Sequence, residues 1–424
     1  MKPDRTPLLN STVREKIKEL KDVDILVGIP SYNNARTIPH VVKAVNAGLA
    51  KYFRGAKCVL VNSDGGSRDG TTEIVNQTEV ENLDMILVDH PVYLVNKIVT
   101  PYHGIPGKGS AFRTIFNIAR ELNAKACCVV DSDLRSITPE WIELLLDPVM
   151  DKGFDYVAPL YSRHKFDGTI TNSIVYPMTR AMYGKRIRQP IGGEFGFSGQ
   201  LAAHFLSKDV WESDVARYGI DIWMTTTAIG DGFNVCQSYL GAKIHDAKDP
   251  GADLTAMYIQ VVSSLFTFLQ SYYTIWREIK ASDKIPTFGF MFEVGLEPVN
   301  VNIDRMLNSF QLGIDSLQPF FEKILKNGEL KTLQDLSKQD TKKFHFSDRL
   351  WVEIVYRYAL AFHHRVWSIE QLMKSMIPLY LGRTASFVIE NWDSSAEEVE
   401  QRIEALCLQY EQLKSFLAEE WEKG

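Results

Sequence analysis

The sequence predicts an α/β fold: a mostly parallel sheet flanked by helices, followed by an α-helical extension. Two observations carry this. From Asp22 to about residue 250, short apolar runs of strand length alternate with amphipathic stretches of helix length, the pattern of βαβ units. Beyond about residue 250 the strand-like runs disappear, and helical spacing continues to the end of the chain. The expected organisation is a helical segment over 1–21, an α/β domain over 22–250 and a helical extension over 251–424.

The elements follow in order. Residues 24–30, DILVGIP, form an apolar run ending in Pro, and PSYNN leads from it into a helix marked by Val41, Val42, Val45 and Leu49. AKCVLVNSD (56–64) repeats the pattern with a polar end, and DGTTEIVNQTEV opens the next helix. MILVDH (85–90) reads as a third strand, 91–110 as a long connection rich in Pro and Gly, and 110–122 as a helix. ACCVV (126–130) has the composition of a strand buried on both faces and emerges into Asp131-Ser132-Asp133, with a helix expected from Pro139. YVAPLYS is a further strand, residues 172–187 suggest a helix, and Gly192–Gly199 is a glycine-rich stretch around Glu194. The extension reads as helices over roughly 255–280, 303–327, 347–380 and 395–422.

Composition narrows the function. The chain has 424 residues, 45% apolar and 24% charged, so it is long enough for a large core and is not of disordered composition. With 47 basic against 53 acidic residues, net −6, nucleic acid is not the expected partner. The five cysteines have no CxxC spacing and lie mostly in apolar runs, the pattern of buried thiols in a reducing compartment, so a cytoplasmic location is expected. The stretch 257–276 is the most apolar, yet its Gln, Ser and Thr residues favour a buried or interfacial helix over a stable membrane span.

Three polar clusters stand at expected strand ends: Pro30 to Asn33, Asn62 to Asp69, and Asp131 to Asp133. In open parallel sheets ligands bind beyond the carboxyl ends of the strands. Paired carboxylates there suit a hard divalent ion carrying phosphate oxygens. On spacing alone a solvated turn remains open for Asp131 and Asp133, and a tight turn for Asp64. No G-x-G-x-x-G follows the first strand, and Gly107-Lys108-Gly109 lacks both the earlier glycine and the Ser or Thr of a phosphate-binding P-loop. Lys108 before a helix can still meet a diphosphate, and His245 can supply a neutral nitrogen to an ion. No nucleophile elbow supports a hydrolase.

These segments resemble the GT-A nucleotide-diphospho-sugar glycosyltransferases: PSYNN their first nucleotide-binding loop, VNSDGGSRDGTT their second, and DSD their metal-binding D-x-D. GKGSAFR, DSDLRSITPEWI, QPIGGEFGFS, YGIDIW and the late His245 are similar in order and spacing to the glucosyl-3-phosphoglycerate, glucosylglycerate and mannosylglycerate synthases, over roughly residues 22–250. The resemblance implies a GT-A fold and a retaining transfer of a hexose, glucose first, from a nucleoside-diphosphate sugar to glycerate or 3-phosphoglycerate. It implies front-face attack, with the leaving phosphate accepting the acceptor's proton.

Residue by residue, it implies that Pro30, Ser31, Tyr32, Asn33, Asp64, Lys108, Asp131 and Ser132 bind the donor nucleotide. Asp133 and His245, with Asp131 in support, would hold Mg2+ or Mn2+. Glu194, Asp221 and Lys108 would act at the donor sugar and diphosphate, Asp221 standing where the family usually has Glu. Gly168, Thr169 and Thr171 match the acceptor segment, with Arg163 beside it. That segment usually carries an arginine at the position of Thr169, so Arg163, His164 and Lys165 are the candidate partners for an acceptor phosphate. A homodimer is expected from the relatives' helical tails. The alternatives are a transferase acting on a lipid phosphate at a membrane surface and a nucleotide-binding protein without catalysis.

Overall fold

A computed structural model describes residues 9–78, 95–102, 104–244, 255–292, 294–296 and 298–423. These residues fall into two compact units: the first lies within Met1–Ser162, Gln189–Asp246 and Ile285–Gly295, the second within Arg163–Arg188, Ala247–Lys284 and Leu296–Gly424.

The first unit holds a sheet whose described strands are β1 (Ile25–Ser31), β2 (Cys58–Asp64), β3 (Asn96–Pro101), β4 (Ala126–Val129), β5 (Tyr156–Ser162), β6 (Phe195–Ser198), β7 (Val235–Ala242) and β8 (Thr287–Phe288). Their spatial order is β3-β2-β1-β4-β6-β5-β7-β8. All neighbours are parallel except β6, which runs antiparallel to both β4 and β5. The central strands are apolar and buried up to their polar ends, through Ile25, Leu26, Val27, Val59, Leu60, Cys127 and Cys128. Helices Ile38–Tyr52 and Pro139–Met150 cover one face through Val41, Val45, Trp141 and Leu145. The mostly parallel sheet flanked by helices, and the helical region after it, are the expected architecture.

Register fixes where the polar ends meet. Ser31 pairs with Asp64, and Gly28 with Val129, so the carboxyl ends of β1, β2 and β4 open side by side. All five cysteines are free and buried, as their apolar settings indicate.

Several elements differ from the reading along the chain. The expected strand 85–90 lies outside the described residues, while Asn96–Pro101, assigned above to a connection, is β3 and pairs with β2. The Gly192–Gly199 stretch contains β6, hidden by Gly196 within it and by the glycines that flank it: a Cβ on Gly196 would stand 1.9 Å from the Leu145 carbonyl oxygen, so the strand requires a glycine there. A short edge strand, β8, does occur beyond residue 250. The expected helix 347–380 is two, Asp348–His363 and Ile369–Glu390, because Arg365 takes φ 53 and Ser368 caps a new start by accepting from Gln371 N. Residues 303–327 also divide, into Ile303–Ser316 and Gln318–Ile324, at the Leu317-Gln318-Pro319 step. No helix among the described residues is long and apolar enough to cross a membrane.

Candidate active site

Three loops at the strand ends are knitted together by short polar side chains. Asp64, 3% exposed at the end of β2, accepts from Gly66 N and Ser67 N through Oδ1 at 2.8 and 2.7 Å. Its Oδ2 accepts from the hydroxyls of Ser31 and Ser67 at 2.8 and 2.6 Å. Asn33, at φ 54, receives Arg68 N on Oδ1 and donates its own N–H to Ser67 Oγ, both at or below 3.0 Å. Asn34 Oδ1 accepts from Ser132 Oγ at 2.8 Å and so ties the first loop to the D-x-D loop. Thr37 Oγ1 adds a 2.8 Å bond to the Ser132 carbonyl. Pro30 ends β1 beside Ser31, and Tyr32 projects from this frame with 63% of its surface exposed.

Behind the loops lies a cluster of five charged side chains. Lys108 begins the helix Lys108–Glu121, and its Nζ sits 2.8 Å from Asp131 Oδ1, 3.4 Å from Asp221 Oδ1 and 3.5 Å from the Gly193 carbonyl. Gly109 lets that helix approach: a Cβ there would stand 1.9 Å from the Val215 carbonyl oxygen. Asp221 lies in the first turn of the helix Ile220–Gly230, where the dipole favours an anion. Lys243, just past β7, binds Asp131 Oδ2 at 3.2 Å, Glu194 Oε2 at 2.8 Å and the Gly192 carbonyl at 2.8 Å. Tyr161 donates its hydroxyl to Glu194, which is wholly buried. Gly193 makes the cluster possible: it takes φ 93, and a Cβ on it would lie 2.4 Å from Asp131 Oδ2 and 2.8 Å from Lys243 Nζ.

Three carboxylates against two ammonium groups leave the cluster one negative charge in excess when all are ionised. Burial works against each charge, and the outcome depends on neighbours. For Asp131, burial is overcome by Lys108 and Lys243, which hold it well below the usual carboxylate range. For Lys108, burial is overcome by Asp131, Asp221 and Glu194, which hold it above its ordinary value. For Glu194 burial prevails over the pull of Lys243, and its pKa is pushed up to about 7. Asp221 is raised as well, again by burial first. Its Oδ1 is buried and has no hydrogen-bond partner. A site that holds two buried carboxylates above their ordinary pKa beside fixed cations is a natural seat for a further polar or cationic group.

The structure therefore brings Lys108, Asp131, Glu194 and Asp221 together, and holds Ser31, Asn33, Asp64 and Ser132 in the adjoining loops. Asp133 is partly exposed on the D-x-D loop. His245 lies outside the described residues, and among the described residues no group of three His, Cys, Asp or Glu side chains is arranged to hold a metal. The sequence reading missed Lys243 and Tyr161. Lys243 was legible: like Asp131, it is the first charged residue after a buried strand.

The residues matched to an acceptor segment belong to the second unit. Gly168 takes φ 67, and Arg163 Nη1 lies 3.5 Å from Asp167 Oδ2. Thr169 is buried and shares a 2.5 Å hydrogen bond with the Tyr380 hydroxyl, and Thr171 begins a π-helical turn, Thr171–Val175. Lys165 donates to the carbonyls of Asn391, Trp392 and Ser394 at 2.9, 2.6 and 2.9 Å, so its ammonium is spent on the backbone.

Residues 35–267, more than half of the chain, match the family model described as the mannosylglycerate synthase GT domain. The glucosyl-3-phosphoglycerate synthase of Petrotoga mobilis is 23% identical over 284 residues, 63% of this chain and 80% of that one. Among solved structures, glucosyl-3-phosphoglycerate synthase from Mycobacterium tuberculosis in complex with Mn2+, uridine diphosphate and glucosyl-3-phosphoglycerate is 22% identical, with a TM-score of 0.43, covering 59% of this chain and 83% of that one. The same enzyme in complex with Mg2+ and uridine diphosphate is 21% identical, with a TM-score of 0.43 and coverage of 59% and 82%. The chain belongs to the glycosyltransferase family of the mannosylglycerate synthase GT domain.

Proposed function

We propose that the chain transfers a hexose, glucose first, from a nucleoside-diphosphate sugar to the hydroxyl of glycerate, with retention at the anomeric carbon. The observation that supports this is the buried Lys108–Asp131–Lys243–Glu194–Asp221 cluster at the strand ends of a chain of this family. Breaking the anomeric C–O bond leaves negative charge on the diphosphate. Lys108, oriented in advance by Asp131 and Asp221, stabilises that charge without reorganising.

In this reading Tyr32, exposed above the loops, lies against the base, while Pro30, Ser31, Asn33, Asp64 and Ser132 shape the nucleoside pocket. Glu194 and Asp221 accept from hydroxyls of the donor sugar; Asp221 Oδ1, 3.4 Å from Lys108 Nζ, has no hydrogen bond of its own and suits such a donor. The divalent ion fits by chemistry. Asp131 has both oxygens engaged by lysines, which leaves the partly exposed Asp133 as the carboxylate for Mg2+ or Mn2+, with His245 and diphosphate oxygens completing the set. Such an ion supplies Lewis-acid neutralisation of the diphosphate.

For the acceptor, Gly168, Thr169, Thr171 and Arg163 are the proposed contacts. Free glycerate is preferred over 3-phosphoglycerate because, of the three cations that could replace the family's arginine, only Arg163 remains, and it lies 3.5 Å from Asp167 Oδ2. Lys165 is spent on three carbonyls, and burial and the Lys165 charge lower the His164 pKa, so that it stays neutral at pH 7. The test is a competition assay: with both acceptors at equal concentration, the product mass is that of hexosylglycerate. A predominantly phosphorylated product overturns the acceptor assignment.

A further inference from the structure

Within the second unit, a cavity of about 80 Å3 opens between the Thr169–Ser173 turn and the helices Ile369–Glu390 and Ala396–Trp421. It lies largely outside the stretch that matches the glycosyltransferase domain, since most of its lining falls between residues 348 and 406. Three of its lining side chains have a buried polar atom without a hydrogen-bond partner: Arg383 Nε, a donor, Asn391 Oδ1, an acceptor, and Thr384 Oγ1, a hydroxyl that can do either. Arg383 is 4% exposed and Asn391 wholly buried. Both are otherwise fixed. Arg383 donates through Nη1 to the Phe346 carbonyl at 2.7 Å and through Nη2 to Asp348, and Asn391 donates through Nδ2 to the Phe387 carbonyl at 2.7 Å.

A buried donor and a buried acceptor left unmatched each cost on the order of 1–3 kcal/mol, so such atoms normally have a partner. The charges around the cavity are already balanced: Arg383 is paired with Asp348, and Arg402 lies 3.7 Å from Glu390. An anion would meet Asp348 and Glu390, and a cation would meet the two arginines. The group that satisfies a lone donor and a lone acceptor without adding charge is a hydroxyl, which both accepts and donates. The volume exceeds what one water needs and suits a molecule of three or four carbons.

We infer that this cavity is a binding site for a small uncharged polyol, whose hydroxyls accept from Arg383 Nε and donate to Asn391 Oδ1. One lining residue, Thr169, is also a proposed acceptor contact, but the pair that recognises the polyol is not, and its binding needs no nucleotide or metal to be observed.

The test uses the full chain with glycerol and erythritol as probes, followed by calorimetric titration and by the melting temperature. The expected result is one saturable site per chain, at least tenfold weaker in Asn391→Leu and lost in Ile403→Phe, which fills the cavity. D-glycerate added without nucleotide is expected to bind this site at least tenfold more weakly than erythritol. A melting temperature that rises linearly with either polyol, equally in wild type and both variants, is ordinary solvent exclusion and overturns the inference. If a variant does not fold, wild-type crystals soaked in erythritol decide: density bridging Arg383 and Asn391 supports the site, and water alone in the cavity overturns it.

Discussion

Lys243 Nζ stands 2.8 Å from Glu194 Oε2, with the lysine side chain 5% exposed and the glutamate fully buried. The pair is shared with Asp131, so one ammonium group holds together the ends of β4, β6 and β7. Buried pairs of this kind are costly to break from one side, because the survivor keeps its desolvation penalty.

Lys243→Met is accordingly expected to destabilise the protein by about 3–5 kcal/mol. The double variant Lys243→Met with Glu194→Gln is expected to recover part of that loss, since no charge is then stranded at position 194. Urea unfolding of wild type, both single variants and the double variant measures the coupling. Strict additivity of the two single effects contradicts the arrangement.

Gly193 faces both charged partners. Gly193→Ala is expected to lower the melting temperature and to reduce turnover at least tenfold, because its Cβ would fall 2.4 Å from Asp131 Oδ2 at a backbone φ of 93. Gly66 also takes positive φ, at 85, yet nothing lies within 4 Å of its Cβ position. Gly66→Ala thus reports the cost of φ alone, and an equal loss of turnover in both variants would contradict a special role for Gly193.

Glu194 carries a pH signature. Burial raises its pKa from 4.5 to about 7, so between those values the folded state holds a proton that the unfolded state has released. Linkage then makes this residue's contribution to stability fall as pH rises from about 4.5 to about 7, and level off above it. The difference in unfolding free energy between wild type and Glu194→Gln, followed over that range, is expected to shift in favour of the variant with rising pH. A difference that does not change with pH contradicts the assignment.

Removing divalent ions separates chemistry from scaffold. The cluster is held by lysines, so chelation is expected to abolish transfer without lowering the melting temperature, and Mg2+ or Mn2+ is expected to restore it. Asp133→Asn should raise the ion concentration needed by at least tenfold with little change in stability. Full turnover in the presence of chelator would remove the ion from the mechanism.

Much of this was legible before any coordinates. The alternation of apolar runs located β1, β2, β4 and β5, the polar ends of β2 and β4 pointed to Asp64 and Asp131, and Lys108 stood out between two glycines at a helix start. The elements that stayed hidden share a physical cause: their local composition answers to neighbours rather than to their own class. β6 carries Gly196 because the Leu145 backbone crowds it, and β8 is two residues long because it only finishes an edge. Lys243 drew no notice because a lysine after a strand is usually solvated; only the fold reveals two carboxylates waiting beside it. Thr169 was assigned by resemblance, and its bond to Tyr380, 211 residues away in sequence, has no local trace.

The central claim is best tested by incubating the protein with UDP-glucose, GDP-glucose or GDP-mannose, with D-glycerate or 3-phosphoglycerate and with Mg2+, and analysing the products by mass spectrometry. The account predicts hexosylglycerate with at least one donor, and a fall in rate of about 10²–10³ in Lys108→Ala. The absence of hexosylglycerate and of its phosphate from every donor and acceptor combination, or an unimpaired Lys108→Ala, would contradict it.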